Sequence, residues 1–94
     1  MDMRRLVGRN VRRIRLEKGL TQEEFAERSG FSQQYLSSLE RGTRNPTVVT
    51  LFELASALGV SHVALIEPDG EEQAAKPMRR GGRRQMKTSK GQEN

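Results

Sequence analysis

Apolar positions near the start of the chain recur at helical spacing. Met3, Val7, Val11 and Ile14 follow one another at intervals of four, four and three residues. That is the stripe of an amphipathic helix, here spanning Met3 to Lys18. Arg5, Arg9, Arg12 and Arg13 fall opposite the stripe, with Arg4 and Arg15 beside it. Gly8 lies inside this helix and weakens it by ~1 kcal/mol relative to alanine unless packing compensates. Lys18-Gly19 ends the helix, and Leu20 turns towards the core. A second helix opens at Thr21, which forms a T-x-x-E capping box with Glu24. Gly30 provides a residue able to take positive φ in a sharp turn. Ser32 caps a third helix that runs to Gly42, a residue suited to the position just past a helix end. Phe25, Leu36 and Leu39 supply the buried faces of this pair, and the small Ala26 leaves room where the two helices cross. Thr47 caps a fourth helix, Val48 to Leu58, with Leu51, Leu54, Ala55 and Leu58 as its core stripe and Gly59 at its end. Ser61 begins a short fifth helix that Pro68 stops. From Asp69 onwards the pattern ceases.

The third helix divides into two arcs when successive residues are placed 100° apart. Tyr35, Leu36 and Leu39 lie on one side, and Glu40 falls at a border. Gln33, Gln34, Ser37, Ser38 and Arg41 share the other. An uncharged face of amides and hydroxyls suits the edges of bases: glutamine can bond both N6 and N7 of adenine, and serine can donate or accept. Arginine suits guanine or phosphate. A merely solvated helix face would show similar residues. The preceding turn signature and the nearby arginines tip the reading towards DNA, with Gln33, Gln34, Ser37 and Ser38 as base readers and Arg41 as a phosphate contact.

The spacing of small, turn and apolar residues from Thr21 to Gly42 resembles the helix-turn-helix of the phage repressor and Cro family. The segment FELASALGVS, Phe52 to Ser61, resembles the corresponding segment of the same family. The resemblance implies an all-α, five-helix, lambda-repressor-like domain over residues 3–68 that binds double-stranded DNA. It also implies that Arg15 pairs with Glu40, tying the first helix to the third. Gln22, at the N-terminus of the second helix where amides and the dipole attract anions, is implied as a phosphate contact. Arg12 on the first helix and Arg44 and Asn45 in the loop after the third are further expected phosphate contacts. In this family, and in the similar restriction–modification controller proteins, the last two helices form a dimer. Val60, Val63, Ala64, Leu65 and Ile66 are too many apolar residues for one face of so short a helix, which points the same way. Val49, Phe52, Val63 and Ile66 are the expected homodimer surface.

Composition narrows these readings. A chain of 94 residues that is 33% hydrophobic has room for one small aliphatic core. It has no cysteine, so disulfides and thiolate metal sites are excluded. No apolar run approaches the ~18–20 residues of a membrane span or resembles a signal-peptide core. A cytoplasmic location is therefore the expectation. His62 has no second histidine or cysteine to make a metal site, and no cofactor is expected. Glu17, Glu23, Glu24 and Glu27 sit on helix faces without a nucleophile or base beside them, so an enzyme is not expected.

The net charge of +5 is divided unevenly. Up to Glu67 there are ten Lys or Arg against eight Asp or Glu; beyond it there are seven against four. Residues 69–94 read as a disordered basic tail with too little apolar content to offset its ordering entropy. The function this supports is a sequence-specific transcriptional regulator, a repressor or controller type, that binds a pseudo-palindromic operator as a homodimer. The alternative is an antiactivator or other protein-interaction module on the same fold, which uses the surface of the last two helices to bind another regulatory protein.

Overall fold

The computed structural model describes residues 1–70, and the expected basic tail, apart from Asp69 and Gly70, lies outside the described residues. Four α-helices are present: α1 (Met3–Glu17), α2 (Gln22–Ser29), α3 (Gln33–Glu40) and α4 (Val48–Leu58). A 3-10 turn, His62–Leu65, follows. The five-helix expectation is corrected on this point, because the last element is a single tight turn. Its end is fixed from outside: Asn10 Nδ2 donates to the carbonyls of Leu65 and Glu67, both at 2.9 Å. Those carbonyls are thereby taken up by a side chain of α1, and Pro68 follows with no amide proton to give.

Local chemistry sets each boundary. Thr21 Oγ1 accepts from the Glu24 amide at 3.0 Å, and Glu24 Oε1 accepts from the Thr21 amide at 2.9 Å. Both halves of the capping box are thus made. Ser32 and Thr47 cap α3 and α4 in the same manner, each accepting from the amide three residues on at 3.0 Å. Gly30 turns the chain between α2 and α3 at φ 83°, where a Cβ would be strained. At the end of α3 the amide of Gly42 bonds to Leu39 O and that of Thr43 to Ser38 O. This Schellman closure satisfies two carbonyls that would otherwise be orphaned.

The elements close a ring. α1 packs on α3, α3 on α2, α2 on α4, α4 on the 3-10 turn, and the turn returns to α1. Phe25, Leu36, Leu39, Leu54 and Leu65 fill the centre and are fully buried. Met3, expected in the stripe of α1, sits in its first turn and is 47% exposed; Leu6 is buried instead. Asn10 is wholly buried within that same stripe, where its amide is satisfied by the two carbonyls above and by Arg13 Nη2, which donates to Oδ1 at 3.0 Å. Asp69, which the sequence pattern leaves in the tail, forms an ion pair with Arg9 at 2.7 Å.

Gly8 is more than a weak point in a helix. A Cβ there would stand 2.5 Å from the carbonyl oxygen of Leu39 and 2.8 Å from that of Glu40. The backbones of α1 and α3 meet with nothing between them. Glycine-to-alanine changes in helices ordinarily gain ~1 kcal/mol, but here the added methyl must push a backbone away. Gly8→Ala is expected to lose about 1–3 kcal/mol, the usual cost of overpacking. A raised melting temperature would show that α1 and α3 can separate freely.

Candidate nucleic-acid interface

The turn at Gly30 delivers α3 with its apolar side inward and its polar side outward. Leu36 and Leu39 are buried, while Gln33, Gln34 and Arg41 are exposed and Ser37 is half-buried. Among the described residues, neither glutamine side chain has a hydrogen-bond partner, so both amides are free for an incoming ligand. Ser37 Oγ accepts from Arg41 Nη1 at 2.7 Å. These two residues therefore form one unit on the outer face.

Ser38 does not belong to that face, and the expectation of a base-reading role is corrected. It is only 8% exposed, and its hydroxyl is already engaged. Oγ donates towards the carbonyl of Tyr35 at 2.8 Å, with that of Gln34 at 3.2 Å, and accepts from Arg44 Nε at 2.9 Å. The sequence places Ser38 in the polar arc, but at its edge nearest Tyr35, where 100° steps do not resolve which side the residue takes.

A buried ionic link orients α3. Arg15 Nε donates to Glu40 Oε2 at 2.7 Å and Arg15 Nη2 to Glu40 Oε1 at 3.1 Å, a two-pronged contact. The third nitrogen, Nη1, donates to Leu20 O at 2.7 Å. The two side chains are 9% and 5% exposed. Gln22 Nε2 also donates to Glu40 Oε1, at 3.1 Å, so the residue expected at a phosphate is tied into the same network. The second hydrogen of its Nε2 remains uncommitted among the described residues, and it is the donor that could meet a phosphate.

The cations differ in their freedom. Arg12 is exposed and has no protein partner among the described residues. Arg9 is held by Asp69, and Arg13 lies between Asn10 and Glu17. Arg44 carries its guanidinium 5.2 Å from the centroid of the Tyr35 ring, and Asn45 beside it is exposed. Val49, Phe52, Val63 and Ile66 are 64%, 59%, 44% and 38% exposed, and neighbouring Val48 is 80% exposed. Val60 and Ala64, by contrast, pack on the core, so only part of the apolar excess stays wet. Sequence reasoning missed Asn10, and it noted Gly8 as a weak point that packing can offset without giving the helix that packs there. Asn10 could have been found as the polar residue at helical spacing between Val7 and Ile14.

A short turn, a second helix showing uncommitted amides, and arginines around it define a helix-turn-helix DNA-binding domain. The sequence family described as Helix-turn-helix matches residues 11–65, and the chain belongs to that family of transcriptional regulators. An uncharacterized HTH-type transcriptional regulator, y4dJ of Sinorhizobium fredii, is 75% identical over 71 residues, covering 76% of this chain and 92% of the relative. Control protein C.SmaI of Serratia marcescens is 41% identical over 74% of this chain and 83% of its own length. The controller protein C.Esp1396I, solved as a tetramer with its natural 35 base-pair operator, superposes with a TM-score of 0.64. It is 37% identical, and the match covers 69% of this chain and 86% of that one. Among the described residues no helix is long and apolar enough to cross a membrane.

Removing one member of the Arg15–Glu40 pair leaves the other charge buried and unmatched. Arg15→Met is expected to destabilise the domain by about 3–5 kcal/mol. The Arg15→Met/Glu40→Leu double variant should recover much of that loss, because no lone charge remains. Denaturant melts of the three proteins check this; a double variant no more stable than the single would show that the pair's partners, Leu20 and Gln22, matter more than charge balance.

Proposed function

We propose that this regulator binds a nearly palindromic operator as a homodimer and controls transcription by occupying it, with no chemical step. The observation that carries the reading is the exposed face of α3 with its two free glutamine amides, fixed in direction by the buried link to α1. Gln33 and Gln34 read base edges through their free amides, assisted by Ser37. Arg41, Arg44, Asn45, Gln22 and Arg12 contact phosphates and set the register of the domain on the duplex. Val49, Phe52, Val63 and Ile66 form the homodimer contact, their shared exposure supporting a surface that a second copy covers. A relative solved as a tetramer on its operator supports operator binding by an assembly of copies. The folded domain ends near Pro68, the basic residues beyond add unspecific attraction, and the protein works in the cytoplasm.

The experiment starts with duplexes selected from a random library by the wild-type protein. Gln33→Ala and Gln34→Ala should each weaken binding to a selected duplex by about 1–3 kcal/mol and leave a scrambled duplex nearly unaffected. Thermal stability should hold, since both side chains are exposed. If both variants retain the full preference, α3 does not read the sequence through these amides. Ile66→Asp should yield monomers in sedimentation, and should cut binding to the full site far more than to a half-site. The reason is geometric: two reading helices joined in a dimer reach half-sites about 34–36 Å apart together.

A further inference from the structure

We infer that Ser38 and Tyr35 are positioning residues for Arg44, presetting a loop arginine as a clamp for a DNA phosphate. The inference rests on the reading of Arg44 as a phosphate contact and adds how that contact is made ready. Arg44 lies in the stretch between α3 and α4, where a long side chain would ordinarily sample many rotamers. Two features of α3 restrict it. Ser38 Oγ accepts from Arg44 Nε at 2.9 Å, and the Tyr35 ring lies 5.2 Å from the guanidinium carbon. A cation over an aromatic face is attracted by the ring's quadrupole.

Each of these holders is itself held. The Ser38 hydroxyl gives its one proton to a carbonyl of its own helix, the nearer being Tyr35 O at 2.8 Å. Donating in this way polarises the oxygen and makes it a better acceptor for Arg44. The carbonyl of Ser38 receives both the amide and the hydroxyl of Thr43, at 3.1 and 2.9 Å, so the backbone leading to Arg44 is tied down as well. The ring of Phe31 stacks with that of Tyr35 at 5.2 Å with an interplanar angle of 22°. The Tyr35 ring thus has contacts with both the turn before α3 and the loop after it.

The geometry leaves the useful part of the guanidinium free. Only Nε is used by Ser38; Nη1 and Nη2 have no protein partner among the described residues. Those two nitrogens form one side of the arginine fork, the side that can meet two oxygens of a phosphate together. A side chain already ordered loses less freedom on binding than a loose one. Ser38 therefore serves recognition from the buried side of α3, without touching a base.

A double-mutant cycle on the full chain tests this, using a duplex selected by the wild-type protein and a scrambled duplex. Arg44→Ala should weaken both and lower the slope of log affinity against log salt by about 0.9. Ser38→Ala should weaken the selected duplex about threefold to tenfold in the wild-type background and have no effect in the Arg44→Ala background. Alanine suits a helix interior, and melting curves will show that the fold is kept. The Arg44 Nε–H resonance of nitrogen-15-labelled protein supplies a second readout. Its protection from solvent exchange should fall in Ser38→Ala and stay in Tyr35→Phe, which keeps the ring. An equal loss from Ser38→Ala in both backgrounds, or an unchanged Nε–H resonance, would overturn the positioning role while leaving the Arg44 contact standing. An Arg44→Ala variant with unaltered affinity and slope would overturn the contact itself, and the positioning role with it.

Discussion

Two backbones meet at Gly8 with no side chain between them, and the placement of α3 depends on that meeting. The carbonyl oxygens of Leu39 and Glu40 lie only 2.5 and 2.8 Å from where a Cβ of any other residue would stand. Close approach of this kind fixes the distance between α1 and α3. It leaves their relative direction open, and here polar chemistry takes over. The Arg15 fork grips Glu40 on the same side of α1, while Leu20 O and Gln22 hold the remaining donors and acceptors. Packing sets the distance and the ion pair sets the angle.

A buried ion pair need not add net stability, because desolvation offsets the attraction. Its value in this domain is directional. A hydrophobic contact tolerates rotation of one helix on another; a two-pronged contact at 2.7 and 3.1 Å does not. Asn10 does the same at the middle of α1, where one buried amide joins the helix to the segment that follows α4. The polar residues inside this small core are thus joints between elements. The apolar residues around them supply the burial that makes those joints hold.

The parts legible in sequence were those that act over a few residues. Thr21 with Glu24, Gly30, Ser32, Thr47 and Gly42 each do their work within one turn of chain, so their spacing alone states their role. The Arg15–Glu40 link came through family resemblance rather than pattern, since nothing local connects residues 25 apart. Contacts over longer distances gave weaker signs. Asn10 reaches across 55 and 57 residues to its two carbonyls, and only its place in an apolar stripe hinted at burial. Gly8 read as a defect because its partner lies on another helix. Ser38 read as part of the outer face because a wheel of 100° steps places border residues poorly. The burial that removes it depends on how the loop with Arg44 folds back.

The amide of Asn10 carries a consequence for the spacing of DNA sites. In a dimer built on Val63 and Ile66, the contact between copies hangs from the 3-10 turn, and Asn10 bolts that turn to α1. The same helix fixes α3 through Gly8 and Arg15, so each copy transmits force from the twofold axis to its reading helix through one rigid rod. One extra base pair between half-sites would turn one of them about 35° around the duplex axis, given about 10–10.5 base pairs per turn. Joined in this way, the two reading helices would follow that rotation poorly, and the strain would fall on the DNA, whose own flexibility at the centre of the site then becomes part of what is selected.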